Sequence, residues 1–259
     1  MARASRPSLS PLPRAFFNRD PREIARELLG KLLVRKLGAL DLLDGAPYLP
    51  VVGRCGKTEQ LGAPYLPAVG RCGRTQIVAG RIVEAEAYLG SIDPGAHAYR
   101  GKTPRNAVLF GPAGHAYVYF IYGNHYCTNI SCQPEGEAGC VLLRALEPVS
   151  GLETMAANRR VTLSETPRQS ELRRLTSGPG CLSQALAITR PRDNGKDLCS
   201  STSDLYIASD GFVPEFVLAT TRINVTSAPH DEWRYIVAGN AFVSGPRGSH
   251  APGRSAISC

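Results

Sequence analysis

The spacing of apolar residues along the chain predicts alternating helices and strands. The segment "DPREIARELLG" is the clearest helix, because Asp20 can cap it, Pro21 suits its first turn and Gly30 can end it. Apolar runs predict strands at 31–37, 79–89, 139–149, 204–208 and 216–225. Helical spacing predicts further helices at 151–160, near 168–175 and at 181–188.

Two more segments predict β-hairpins, because a Gly-Asn pair interrupts a run of strand-forming residues in each. The first is "HAYVYFIYGNHY" at 115–126, and the second is "WRYIVAGNAFVS" at 233–244. No linker interrupts residues 16–246. The pattern therefore predicts a single α/β domain of mixed α+β type, with a mixed, mostly antiparallel, curved sheet, flanking helices and a protruding hairpin.

The two ends of the chain and one internal segment stand apart from this pattern. Residues 1–15 are rich in proline, serine and arginine and are predicted to be a disordered basic extension, and residues 247–259 a flexible tail. Within 45–75, "GAPYLPVVGRCGKT" recurs as "GAPYLPAVGRCGRT". Two short copies are too few for a solenoid. We therefore interpret 45–75 as a duplicated surface loop rather than a binding element.

The first hairpin segment holds four of the chain's ten tyrosines. Because strand side chains alternate, Tyr117, Tyr119 and Ile121 are predicted to share one face. The other face is predicted to carry Val118, Phe120 and Tyr122, with Tyr122 near the turn. Two interpretations stay open from this segment alone. One is a well-packed hairpin; the other is a surface that stacks nucleobases, with one ring as a wedge at the tip.

Composition and charge narrow the class of protein. The 259 residues are 43% apolar and 20% charged, as in an ordinary globular protein, and the net charge of +8 suits a polyanionic partner. The eight cysteines form no C-x-x-C pair, so neither a zinc site nor a disulfide framework is indicated. The N-terminus lacks the apolar core of a signal peptide, and no run reaches membrane-spanning length. We expect a reduced, cytoplasmic protein, nucleoid-associated if bacterial.

The strand "RIVEAEAYL" places two carboxylates on one face. Glu84, Glu86 and Tyr88 alternate with small apolar residues, so the two acids lie roughly 7 Å apart along the backbone. Such a face suits a polar cleft, while a solvated edge strand is an equally open interpretation. Arg144 interrupts the apolar strand "CVLLRALEPV" and is predicted to pair with one of the two acids.

The loop "DPGAHAYRGKTPRN" adds a histidine and a basic cluster. His97 has no second histidine at a metal-ligand spacing, so zinc is disfavoured. Phosphate contacts are the functional interpretation of the cluster, and a solvated basic loop is the alternative. The cluster consists of Arg100, Lys102, Thr103 and Arg105.

Taken together, these motifs resemble the alkyladenine (3-methyladenine) DNA glycosylase family. The resemblance covers roughly residues 14–245 and rests on motifs that occur in family order. They are "GRIVEAEAYLG", "HAYRGKTPRNAVLFGP", "HAYVYFIYGNHYCTNIS", "VLLRALEPVSGLETM" and "SGPGCLSQALAI". The duplicated 45–75 segment and the basic N-terminus depart from the family pattern. The resemblance implies excision of alkylated purines from double-stranded DNA by a monomer, with no metal, organic cofactor or membrane partner.

The resemblance also implies roles for single residues in the chemistry. Glu86 would activate the water that cleaves the glycosidic bond, and Arg144 would support that carboxylate and its water. Asn129, in "CTNIS", would lie on the pocket floor and disfavour ordinary purines that carry an exocyclic amine.

Four further residues would bind the extruded base and the duplex. Tyr88 would stack on the base, His97 would pack against it and form a hydrogen bond, and Tyr119 would close its other side. Tyr122 would wedge into the duplex. Two alternatives from other classes stay open: a non-catalytic nucleic-acid-binding module, and a carbohydrate-directed glycosidase with a carboxylate pair and aromatic platforms. The first leaves the two acids unexplained, and the second does not need the positive charge.

Overall fold

A computed structural model describes residues 9–38, 76–121 and 123–245, and the backbone of 256–258. The duplicated 45–75 segment and Tyr122 lie outside the described residues. The described helices are α1 (Arg14–Phe17), α2 (Pro21–Glu27), α3 (Leu152–Arg159), α4 (Gln169–Thr176), α5 (Pro179–Ala185) and α6 (Arg190–Asp193). The strands are β1 (Leu32–Leu37), β2 (Gln76–Tyr88), β3 (Ala116–Ile121), β4 (His125–Cys132), β5 (Gly139–Ser150), β6 (Leu205–Ala208), β7 (Phe216–Thr220), β8 (Arg234–Val237) and β9 (Ala256–Ser258).

These strands form one sheet around the long strand β2. The order is β3-β4-β5-β2-β8-β7-β9, and β1 joins β2 to β6. Every described pairing of strands is antiparallel. The first part of β2 pairs with β1 and its second part with β8, with register shifts against β5 between Ile82 and Ala85. The predicted mixed α+β domain with a curved antiparallel sheet is confirmed, and β2 is a central strand.

Helices α2 and α5 pack with the main apolar core on one face of the sheet. Asp20 caps α2 by accepting a hydrogen bond from the Arg22 amide at 2.7 Å, as predicted. Ile24 of α2, Leu143 of β5 and Leu182 of α5 belong to the same buried cluster. No helix in the described part of the chain is long and apolar enough to cross a membrane.

Alternation along β4 separates the core face from the opposite face. The Thr128 hydroxyl lies 2.9 Å from the Ser183 hydroxyl on α5, so Thr128 points to the helices. Its neighbour Asn129 points to the other face, where a cavity lies.

The two predicted hairpins have different outcomes. β3 and β4 form the first one, from Ala116↔Ile130 to Ile121↔His125. The second prediction is wrong: β8 ends at Val237, and the chain turns inward instead of returning as a strand. Both edges of β8 are already occupied, by β2 and β7, so no edge is free for a return strand. Phe242 and Val243 are buried instead against Val83 and Ile236.

Parts of both predicted flexible ends belong to the fold. The Leu12 amide donates to the Ile207 carbonyl at 2.8 Å, and Arg14 forms an ion pair with Asp197 at 2.7 Å. The expectation of disorder is therefore wrong for residues 9–15, which cover the β6 edge. Likewise, residues 256–258 pair with β7 rather than extending as a tail. Residues 1–8, 246–255 and 259 lie outside the described part.

Candidate active site

A cavity of about 450 Å³ opens on the face of the sheet that carries Tyr117, Tyr119 and Asn129. Its walls come from β3, β4 and β5, the loop around His97, the start of α5 and residues 223–225. The cavity brings together five of the residues predicted for the site: Tyr88, His97, Tyr119, Asn129 and Arg144. Its size falls within the range of small-molecule pockets.

One wall is aromatic and follows the predicted alternation of β3. Tyr117 and Tyr119 face the cavity, while Val118 lies in the apolar core. His97 Nδ1 lies 3.0 Å from the Tyr117 hydroxyl, and its ring meets Tyr119 edge-on with 4.5 Å between centroids. Phe120 points away from the cavity and packs on Tyr126. This arrangement offers ring faces and edges to a planar ligand.

These aromatic groups are neutral at neutral pH. Burial raises the pKa of Tyr117 to about 12 and raises the pKa values of Tyr88 and Tyr119 as well. Burial, together with the charge of Arg105, holds the pKa of His97 below 6.5. The cavity wall therefore presents uncharged hydrogen-bonding groups and π faces.

Glu86 lies directly beneath the cavity wall and is fully buried. Its Oε1 accepts from the Ile223 amide at 2.8 Å. Its Oε2 accepts from the Tyr88 hydroxyl at 2.9 Å and from Arg144 Nη1 at 3.3 Å. All three donors belong to residues that line the cavity. The carboxylate is thus held against the cavity by the residues that cover it.

Glu84 is the second buried carboxylate, and it anchors the arginine that reaches Glu86. Its oxygens accept from Arg144 Nε at 3.0 Å, from Arg234 Nε at 2.7 Å and from the Ser244 amide at 2.6 Å. Burial alone would raise the pKa of Glu84, but the charges of Arg144 and Arg234 outweigh it and lower that pKa. The predicted pairing of Arg144 with the acids is confirmed, and the alternative of a solvated edge strand is wrong.

The back of Tyr88 is covered by an arginine that the sequence analysis missed. The Arg222 guanidinium lies 4.7 Å from the Tyr88 ring centroid and 4.8 Å from that of Trp233. Asp93 binds the same guanidinium at 2.6 and 2.8 Å. Because one face of Tyr88 is occupied, only its other face can meet a ligand.

Residues 223–225 form a wall of the cavity, although the sequence predicted them as the end of a strand. Ile223, Asn224 and Val225 line the cavity, and Asn224 has a left-handed backbone with φ 60°. The Ile223 amide is the donor to Glu86 Oε1. The segment follows β7 and is far along the chain from β2, so only the tertiary fold brings the two together.

Asn129 lies on the floor of the cavity, and the basic loop lies at its rim. Asn129 is buried, and its Nδ2 donates to the Tyr117 carbonyl at 3.1 Å. Asn106 shapes the loop, with its Nδ2 donating to the carbonyls of His97 and Gly101 at 3.0 Å each. The four predicted phosphate-binding residues are exposed and do not line the cavity: Arg100, Lys102, Thr103 and Arg105. Arg105 comes closest, 5.9 Å from the Tyr119 ring centroid.

The family model and the relatives that match this chain all point to one protein family. Residues 66–241 match the family model described as Methylpurine-DNA glycosylase (MPG). A protein of Koribacter versatilis (strain Ellin345), named "Putative 3-methyladenine DNA glycosylase", is 51% identical over 95% of this chain and 99% of its own length. Proteins with the same name from Burkholderia lata and Methanoculleus marisnigri are 43% and 40% identical, over 91% and 90% of this chain and 91% and 98% of their own lengths. The chain therefore belongs to the methylpurine-DNA glycosylase family and is a DNA N-glycosylase.

Proposed function

We propose that this glycosylase excises alkylated purines, 3-methyladenine and 7-methylguanine among them, by attack of a water that Glu86 activates. Hypoxanthine and ethenoadenine are further candidate substrates. One observation carries the proposal: Glu86 is held by Tyr88, Arg144 and Ile223, three residues that form the wall of an aromatic cavity.

The cavity suits a base that has left the duplex. A base inside a duplex is out of reach, so the nucleotide must rotate outward, which costs a few kcal/mol. The free face of Tyr88 and the ring of Tyr119 would stack on the base, each contributing roughly 1–3 kcal/mol. An N-alkylated purine carries a positive charge, which π faces attract. The neutral His97 adds no opposing charge and would donate or accept a hydrogen bond.

The chemical step requires a base close to the glycosidic bond. Glu86 would take a proton from water while the water oxygen bonds to the sugar C1′ and the C1′–N bond breaks. The electron pair of that bond leaves with the purine, and a cationic alkylpurine departs as a neutral base. Arg144 would orient the Glu86 carboxylate and the water. The buried carboxylate must gain contact with water as the substrate enters.

Other residues would select and hold the DNA. Asn129 on the cavity floor would disfavour ordinary purines with an exocyclic amine. Tyr122, which follows Ile121 in the sequence, would fill the stack that the flipped base leaves, as wedges do in minor-groove binders. Arg100, Lys102, Thr103 and Arg105 would contact phosphates from the rim.

The test is to incubate the protein with duplex DNA treated with a methylating agent and to identify the free bases released. We expect free 3-methyladenine and 7-methylguanine, with an abasic site in the DNA for each base. Binding of the same DNA without base release would contradict the proposal and would favour a nucleic-acid-binding module.

A further inference from the structure

We propose that a second cavity beside the candidate active site binds a phosphodiester group of the DNA strand that carries the damaged base. This inference rests on the proposed function. The second cavity also has a volume of about 450 Å³, and we call it the arginine pocket. Its polar lining consists mainly of Arg159, Arg173 and Arg174 with Ser170 and Ser177.

Two of the three arginines of this pocket are held by neutral groups. Arg159 Nε and Nη2 donate to the Arg174 carbonyl at 3.4 and 3.3 Å, and its Nη1 donates to the Gln184 amide oxygen. Arg173 Nη2 donates to the Val243 and Gly245 carbonyls at 2.8 and 3.0 Å. Carbonyl oxygens fix the direction of a guanidinium but leave its positive charge uncompensated.

The buried arginines among the described residues differ in this respect. Arg35 is paired with Asp193 at 2.8 Å, Arg222 with Asp93 at 2.6 Å, and Arg144 with Glu84 at 3.0 Å. Among the described residues, no carboxylate lies within ion-pair distance of the three arginines of the arginine pocket. Three uncompensated guanidinium groups beside serine hydroxyls are the chemistry that recognises a phosphate oxyanion.

The position of the pocket identifies the source of that phosphate. Cys181 lines both cavities, and Ser177 of the arginine pocket precedes Gly178 of the active-site cavity. The Gly178 amide donates to the Arg144 carbonyl at 3.0 Å, so the arginine pocket lies at the Arg144 end of the cavity floor. A nucleotide whose base occupies the cavity must keep its own and its neighbouring phosphates outside, along this rim.

The predicted phosphate-binding loop lies at the other end of the same floor. Cys140 packs with Ala98 and Leu109, which flank the basic loop, and Arg144 follows four residues later on β5. Four residues of strand span roughly 13 Å. Positive charge therefore flanks the cavity at both ends, as expected for a DNA backbone that crosses it.

The test compares wild type with Arg174→Ala and with Arg22→Ala as a control of equal charge change. Arg174 is exposed and donates no side-chain hydrogen bond within the described part of the chain, so its loss leaves the fold intact. Arg22 is on α2 and lines neither cavity. Binding to a duplex with one 7-methylguanine is measured at several salt concentrations. We expect Arg174→Ala to weaken binding and to make the salt slope shallower by about 0.9, while Arg22→Ala changes neither.

A second arm locates the phosphate. Single phosphates near the lesion are replaced by neutral methylphosphonates, and one replacement should weaken binding by wild type but not by Arg174→Ala. Equal slopes for Arg174→Ala and Arg22→Ala would overturn the inference. Binding of inorganic phosphate to the same proteins is measured as well. If Arg174→Ala loses phosphate binding but binds DNA as wild type does, the pocket is a small-anion site and the inference is overturned. If the wild-type protein releases methylated bases, the proposed function stands whether or not the inference about the arginine pocket fails. If the wild-type protein releases no base, the proposed function itself is contradicted.

Discussion

Arg144 joins two buried carboxylates into one unit. Its Nε donates to Glu84 and its Nη1 to Glu86, so one guanidinium fixes both. Glu84 is held from its other side by Arg234 and Ser244. Because the pKa of Glu84 is lowered, this carboxylate is ionised at neutral pH and keeps Arg144 in place. Glu84 thus binds the arginine that reaches Glu86, and Glu86 faces the cavity wall.

A prediction for a single residue concerns the Tyr88 hydroxyl. It donates to Glu86 at 2.9 Å, and burial raises its pKa, so it keeps its proton. Tyr88→Phe retains the stacking ring but loses this donor, which is worth about 1.5–3 kcal/mol for a charged acceptor. We expect the single-turnover excision rate to fall roughly tenfold or more, with DNA affinity unchanged.

The control for this prediction is Tyr99→Phe, because Tyr99 is exposed and does not line the cavity. An unchanged rate in Tyr88→Phe would show that the hydroxyl does not orient Glu86. A loss confined to binding would assign Tyr88 to recognition alone.

Alternation along two strands was enough to predict much of the site. It placed Glu84, Glu86 and Tyr88 on one face, and the polar Arg144 in an apolar strand required an acidic partner. It could not predict Arg222 or Ile223 at the site, because the apolar run placed both in a strand over 216–225, whereas β7 ends at Thr220 and both residues lie in the loop after it. Contacts of this kind depend on the tertiary fold and not on local sequence.

At the scale of elements, the same turn signal gave two different structures. A Gly-Asn pair turns the chain between β3 and β4, where β3 is an edge strand. A second Gly-Asn pair follows β8, whose two edges are already paired. A local pattern predicts a turn but does not show which strands pair with β8. The sequence alone therefore could not rule out the second hairpin.

The turn after β2 gives a prediction for an element. Gly90 has φ +64°, and a Cβ there would clash with the Ala138 carbonyl oxygen. The turn leads to Asp93, which holds Arg222 behind Tyr88. Gly90→Ala should lower the free energy of unfolding by about 3 kcal/mol or more, from backbone strain and the clash together. Excision should fall as well.

Gly101→Ala is the matched control for Gly90→Ala. Gly101 has φ +92°, but a Cβ there would meet nothing within 4 Å. Its loss should be limited to backbone strain, about 1–2 kcal/mol. Chemical denaturation of both variants decides the matter, and equal losses would show that the contact with Ala138 does not constrain the turn.

At the scale of the whole molecule, the main apolar core and the cavity lie on opposite faces of the sheet. A smaller apolar cluster, which includes Leu109 and Tyr117, lies on the cavity face. Away from the cavity, Asp204 joins Arg35, Arg192 and Lys196 in one ion-pair cluster. This cluster connects β1 to the segment before β6, so we expect it to stabilise the fold.

The Asp204 cluster predicts how stability depends on pH. Burial alone would raise the pKa of Asp204, but Lys196, Arg35 and Arg192 lower it from 3.8 to about 2. The folded protein therefore binds fewer protons than the unfolded chain between these values, and the stabilisation is lost as pH falls through them. Asp204→Asn should cost about 1–2 kcal/mol at pH 6, after allowance for partial exposure, and the difference from wild type should narrow between pH 4 and pH 2.

Denaturation curves at several pH values measure this difference, with the exposed Glu165→Gln as control. A gap between wild type and Asp204→Asn that stays constant down to pH 2 would contradict the assignment. Such a gap would mean that Asp204 stabilises the fold without its charge.

The architecture as a whole was predictable, because a single apolar pattern runs from the first helix to β8 without a linker. The order of the two chain ends could not be predicted, because residues 9–15 and 256–258 become ordered only by pairing with sheet edges that other strands form. The composition of the two ends predicted disorder, because composition does not show whether the folded sheet has an unpaired edge to which they can bind.

The most direct test of the central claim is single-turnover excision of 7-methylguanine by Glu86→Gln. The variant keeps the shape of the side chain but removes the carboxylate that would accept the proton from water. Glu153→Gln, on the exposed surface of α3, is the control. With enzyme in excess over DNA, Glu86→Gln should bind the lesion duplex as wild type does and release no base. A release rate close to that of wild type would contradict the account, since water activation would then not depend on Glu86.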